Sequence, residues 1–202
     1  TGNYWWLFGL HITHAADNGI KLEGSHNRIE RCEFSYNLDT GIQLGFGHKF
    51  SDTFPGVSEN DGSYCAYNDI IDCDSHHNCD YDANYGSDAD GFACKMHNGI
   101  GNRFIRCRAW HNSDDSWDLF ETDYDVVLAE CWAWSAGIAS DHLWVKDYLS
   151  PDKGNASFED DAASNVERKK GPYAIVRPLS ITNTLRFTFY IFYTSDLEKG
   201  NL

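Results

Sequence analysis

The sequence predicts an all-β protein, a parallel β-helix whose coils are about 22 to 25 residues long. Three observations carry this prediction. An Asn-Cys-Asn motif recurs without gaps. A second motif, polar–small–apolar–variable–apolar, recurs beside it. No segment shows the periodicity of an amphipathic helix.

The first motif runs from Asn27 through Cys32 to Asn37, from Asn68 through Cys73 to Asn78, and from Asn102 through Cys107 to Asn112. Val126 to Cys131 continues it weakly, and Ile175 to Asn183 keeps its rhythm with Pro178 in the Cys column. The second motif begins at Asn18, Thr40, Asp90 and Asp115. Short period-2 strands at this spacing read as a solenoid. Leucine-rich repeats have a similar period but need many Leu at fixed offsets, which this chain lacks. In a parallel β-helix each coil is a few short strands, and coils stack as rungs about 4.8 Å apart. Equal columns then touch their own kind. The Asn residues form an amide ladder at a turn, and the Cys residues an interior stack.

With 202 residues, 42% of them apolar and 15% aromatic, the chain is large enough for one domain with a sizeable core. A single β-helix domain is expected over residues 1–202. The absence of a starting Met and of a leader suggests a mature or trimmed piece, with part of the solenoid missing. Net charge is −15 and pI about 4.8. Such acidity disfavours nucleic acid as a partner. No apolar run is long enough to span a bilayer, so a membrane is not expected as a partner either. Segment 161–202 differs, with six bases against four acids. It reads as a divergent C-terminal coil or end segment. A capped solenoid of this kind is expected to be a monomer.

The seven Cys include the column Cys32, Cys73, Cys107 and Cys131, read as small buried apolar residues. Zinc would call for close Cys pairs of the CxxC kind, and there are none. Cys73 and Cys79 flank His76 and His77, the only local cluster, which reads as a turn at the Asn ladder.

The carboxylates carry the chemistry. Asp90 and Asp115 share a column on adjacent rungs, so their backbones lie within about 5 Å. Asp114 precedes Asp115 at the same corner. Asp118 stands one strand position beyond Trp117 and points outward. Four carboxylates at one corner repel each other unless a cation sits among them. Calcium, with six to eight oxygen ligands in flexible geometry, suits such a set better than magnesium. A solvated acidic turn is the plainer alternative. Asp80, Asp82 and Asp88 sit in an insertion that either lines the cleft or, more simply, forms a solvated loop; Glu159 to Asp161 reads as surface; Gly45 to Lys49 reads as a substrate-contacting loop or, more simply, a plain turn. Trp5, Trp6, Trp110, Trp132, Trp134 and Trp144 offer sugar-stacking faces, but core packing and coil stacking is the simpler reading.

Asn18 to Ser25, Asp39 to Gly45, Ala89 to Ala93 and Asn112 to Phe120 together resemble polysaccharide lyase family nine. These are secreted bacterial pectate lyases with a right-handed parallel β-helix. The resemblance covers about residues 4 to 135. It implies that Asp90, Asp114, Asp115 and Asp118 bind a catalytic calcium ion (Ca2+). It also implies a secreted protein that cleaves an acidic polysaccharide, pectate or homogalacturonan, by β-elimination. The family uses a Lys base in a Gly-Phe-Lys-Leu-Gly type strand on a later coil. No such motif follows Asp118 here. Lys169 is the candidate base, with Lys146 and Lys153 as others. Three alternatives stand beside the lyase. A polygalacturonase-type hydrolase would need two carboxylates about 6.5 to 9.5 Å apart around a water. Its Gly-His-Gly and Arg-Ile-Lys signatures are absent, and Gly47-His48-Lys49 is not the former. A non-catalytic β-helix would bind calcium and polysaccharide without turnover. A uronate epimerase would take the same proton and leave the chain intact.

Overall fold

The computed structural model describes residues 2–46, 54, 60–80, 86–120, 122–134 and 136, and the backbone of 173–181 and 184–192. Five coils stack in parallel. The first holds β1 (Trp6–Phe8), β2 (His11–Thr13) and β3 (Ile20–Leu22). The second holds β4 (Arg28–Glu30), β5 (Glu33–Ser35) and β6 (Ile42–Leu44). The third holds β7 (Asp69–Ile71), β8 (Asp74–His76) and β9 (Phe92–Cys94). The fourth holds β10 (Asn102–Ile105), β11 (Arg108–Trp110) and β12 (Trp117–Asp118). In the fifth, β13 (Val126–Trp134) continues across a bend at Glu130 and pairs with both β10 and β11. The third wall is a separate four-stranded sheet in the order β12-β9-β6-β3.

Columns in register fill the interior. One wall buries Ile29, Ile70, Phe104 and Leu128 in sequence. The third wall buries Ile42, Phe92 and Trp117, with the last two rings stacked at 5.0 Å. Burial of columns, with dispersion between like side chains, drives the stacking, since a lone coil has no core of its own.

Both Asn columns are ladders. Asn68 Oδ1 accepts from Asn27 N and Nδ2, each at 3.0 Å, and Asn102 Oδ1 accepts from Asn68 N and Nδ2. Asn37, Asn78 and Asn112 repeat the pattern at the second corner. The first-corner steps span 41 and then 34 residues, against 22 from Trp5 to Asn27. The excess is the two insertions, which leave the ladders intact. The column Cys32, Cys73, Cys107 and Cys131 is buried, and all four thiols are free. Each follows a residue in the left-handed region: Arg31, Asp72, Arg106 and Glu130, with φ of 51° to 56°. That conformation costs about 1–2 kcal/mol for a residue with a Cβ. Cross-rung bonds such as Arg106 N to Ala129 O, at 2.8 Å, hold the bend against it.

Three bidentate pairs tie the third coil to the fourth: Arg103 with Asp69, Arg106 with Asp72, and Arg108 with Asp74. Trp110 and Trp134 stack at 4.8 Å, as coil stacking predicts, whereas Trp5 and Trp6 are exposed. Asp80 corrects the expectation of a solvated loop. It is buried, with Ser113 Oγ 3.4 Å from its Oδ1, because the chain is still in the wall just past ladder residue Asn78. Asp82, Trp144 and Glu159 to Asp161 lie outside the described residues.

β14 (Tyr173–Ile181) and β15 (Thr184–Phe192) depart from the parallel rhythm that Ile175 to Asn183 suggests. They pair antiparallel with each other, and β15 pairs antiparallel with β13. No helix among the described residues is long and apolar enough to cross a membrane.

Candidate metal centre

Two equivalent corners of adjacent coils build the site. Asp90 ends the turn before β9, and Asp114 and Asp115 end the turn before β12. Gly91 N donates to Asp115 O at 2.9 Å, and Phe92 N to Ser116 O at 3.0 Å, which sets the register. Gly91 is required by close approach. A Cβ there would lie 2.7 Å from Ala109 Cβ and 2.8 Å from both Asn112 Nδ2 and Ser116 O.

Asp90 is fixed from two sides. Its Oδ1 accepts from Asp115 N at 3.2 Å, and its Oδ2 lies 3.1 Å from the Thr40 hydroxyl. Asp90, Asp114 and Asp115 each bring a carboxylate oxygen within 4.8 Å of the others, and all three residues are buried. An ion with oxygen ligands at about 2.3–2.6 Å has opposing ligands at most about 5 Å apart, so this trio fits one cation. Among the described residues it is the one such group of His, Cys, Asp or Glu side chains.

Asp118 is also nearly buried and joins the trio through Lys95. Lys95 Nζ lies 2.9 Å from Asp90 Oδ2 and bonds Asp118 Oδ2 as well. Asp118 Oδ1 accepts from Phe120 N at 2.7 Å. Sequence reasoning passed over Lys95, although a signal existed. It stands two places beyond Ala93, the outward residue of β9 that pairs with Asp118, so period 2 aims it at that carboxylate.

The electrostatics show what the corner lacks. Burial pushes the Asp90 carboxyl well above the usual range; Lys95 opposes this, while Asp118, Asp114 and Asp115 add to it. Burial disfavours charge on Lys95, but Asp90 and Asp118 outweigh it and hold the ammonium above the ordinary lysine value. One ammonium against four carboxylates leaves a buried excess of negative charge, which a hard cation would neutralise. Lys95 is thus kept protonated, the reverse of what a base requires. Lys146, Lys153 and Lys169 lie outside the described residues.

The same corner on the first two coils holds Asp17, Asn18, Asp39 and Thr40. Asn18 Nδ2 donates to Asp17 Oδ1 at 3.1 Å, and Thr40 N to Asp39 Oδ1 at 2.6 Å. Burial, with Asp17 alongside, raises Asp39 to about 6. A carboxyl raised in the folded state binds its proton more tightly there than in the unfolded chain. Its contribution is therefore present at low pH and lost as pH climbs from about 4 to about 6. Asp39→Asn is expected to stabilise the protein at pH 7, on the order of 2 kcal/mol, and to flatten the pH 4–6 slope. Denaturant titrations across that range check this, and an unchanged slope would refute it.

Residues 1–155 match the family described as Pel9A-like, right handed beta helix region. Pectate lyase L of Dickeya dadantii (strain 3937) is 41% identical over 138 residues, which is 68% of this chain and 28% of that protein. Pectate lyase L of Thermoclostridium stercorarium is 37% identical over 148 residues, 70% of this chain and 11% of the relative. The crystal structure of pectate lyase Pel9A superposes with a TM-score of 0.58 at 37% identity, covering 74% of this chain and 32% of that one. The chain thus spans a third or less of the length of these relatives. With most of its residues matched and the stacked coils laid out as above, this chain belongs to the Pel9A-like right-handed β-helix family.

Proposed function

We propose that this chain carries the cation-binding core of a calcium-dependent pectate lyase, a secreted monomer that cleaves a polyuronate by β-elimination. The observation that supports the reading best is the buried trio of Asp90, Asp114 and Asp115, with Asp118 joined to it through Lys95.

Asp90, Asp114, Asp115 and Asp118 are the residues that would hold the ion. Calcium bound there would supply positive charge to the C6 carboxylate of a uronate and so acidify its C5 proton. Thr40 and the Asp115 backbone keep Asp90 aimed at the shared centre. Lys95 holds Asp118 against Asp90. A base removes the C5 proton, and in this reading Lys169 is that base. The electron pair left at C5 forms the C4–C5 double bond, and the C4–O4 bond breaks. The departing O4 takes a proton from water. The hydrolase alternative is disfavoured by spacing. The trio's oxygens lie within 4.8 Å, and an inverting pair stands about 6.5–9.5 Å apart to admit a water.

The test is ultraviolet absorbance of the unsaturated product during incubation with polygalacturonate, with calcium and then with a chelator. A rise that chelation stops is the expected result, and Lys169→Ala should then lower it by at least about a hundredfold. No rise from a protein that still binds calcium and the polymer would favour the non-catalytic binding module.

A further inference from the structure

The outward strip of the third wall continues from the acidic corner toward the first coil. Register places Asp118 beside Ala93, Ala93 beside Gln43, and Gln43 beside Lys21. These four residues face away from the core, because the residues flanking Gln43, Ile42 and Leu44, fill the interior. Lys21 is thus three rungs from Asp118, about 14 Å along the stack.

Two of these side chains are unusual. Gln43 is only 5% exposed, yet among the described residues its amide has no hydrogen-bond partner. Its polar atoms are not sealed from solvent, so they are open to water or to the hydrogen-bonding groups of a ligand. Lys21 has no ion-pair or hydrogen-bond partner among the described residues either, in a chain with nearly twice as many acids as bases. Lys21 is exposed; partial desolvation lowers its ammonium below the ordinary lysine value, Glu23 opposes this, and the charge of Lys95 adds to it. Ala93, between Gln43 and Asp118, is small and fully buried.

We propose that Lys21 and Gln43 form a subsite for a second sugar of an acidic polysaccharide, with Lys21 pairing its carboxylate and the Gln43 amide bonding a hydroxyl or carboxylate oxygen. The inference rests on the polyuronate reading above. It lays the polymer along the solenoid axis over the third wall, with one uronate at the cation corner and another toward the first coil. Each such uronate needs a positive partner, because Glu23, Asp39 and Asp17 would otherwise repel it. Lys21 supplies that charge at a distance the cation cannot reach.

The test is surface plasmon resonance with the calcium-loaded chain immobilised and soluble tetragalacturonate, or its methyl ester, passed over it. Lys21→Met is expected to weaken the acidic tetramer about tenfold and leave the methyl ester unchanged. Lys21→Arg should restore the parent affinity within about twofold, and calcium affinity should be the same in all three. Tetramer affinity undiminished in Lys21→Met, or an equal loss for acid and ester, overturns the subsite alone. A parent chain that binds calcium but no tetramer at all overturns the polyuronate reading, and the subsite with it.

Discussion

Asp115→Asn is expected to weaken calcium binding by about a hundredfold or more, and with it any calcium-dependent lyase activity. Asp115 does two things at the corner. Its carboxylate contributes an oxygen to the trio, and its backbone N donates to Asp90 Oδ1. The Asn variant keeps the backbone bond and nearly the same shape but removes one charge and one strong ligand oxygen. The effect on stability should run the other way. Without calcium, the parent holds a buried cluster of like charges, so the variant should unfold at equal or higher denaturant in chelator. With calcium at about a hundred times its Kd, the parent should gain about 2.7 kcal/mol, a gain the variant largely loses. Paired unfolding curves, with and without calcium, test both signs at once. A variant that is less stable in chelator and gains as much as the parent from calcium would show that the corner is a structural hydrogen-bond cluster.

The second large effect belongs to the ladder. Asn78→Ala is expected to cost roughly 3–5 kcal/mol, lowering Tm on the order of 10 °C. Asn78 is buried, and its Oδ1 accepts from both Asn37 N and Asn37 Nδ2. Its Nδ2 donates to Asn112 Oδ1 at 2.9 Å and to Ser75 Oγ at 3.1 Å. Truncation therefore leaves donors and acceptors on three neighbours buried and unmatched. The damage should also reach the cation corner. Asn112 leads directly to Asp114, and Ser113 N is held by Asn78 O at 3.0 Å. Calcium affinity is thus expected to fall together with stability. By contrast, Arg106→Ala removes an exposed, solvent-screened ion pair and should change stability little. Thermal and denaturant unfolding of the two variants would separate these cases. Similar losses from both would mean that the ladder contributes no more than surface pairing.

Much of this is legible in the sequence because a solenoid makes it so. When every coil repeats, residues at equal offsets stack. The columns Asn27–Asn68–Asn102 and Asn37–Asn78–Asn112 are therefore readable as ladders before any coordinates exist. The same logic places Asp90 over Asp115. It was less informative where one position departs from the pattern. Asp80 looks like part of an acidic loop, and only the wall around it shows that it is buried. The left-handed bends at Arg31, Asp72 and Arg106 have no Gly to announce them. Their stability comes from cross-rung bonds, which local propensity does not record.

The sequence by itself determined the coil period, the two ladders, the buried Cys column and the four aspartates that share one corner. Those follow from offsets that the chain carries along its own length. Only the tertiary structure decided that Lys95 lies between Asp90 and Asp118, that Asp80 is in the wall, and that Gln43 and Lys21 share an outward strip with no hydrogen-bond or ion-pair partner among the described residues. Each of these depends on which side chains from different coils meet, and on how much water is left between them. Insertions change the sequence distance between coils without changing the rung spacing, so such meetings are fixed by stacking and not by separation along the chain.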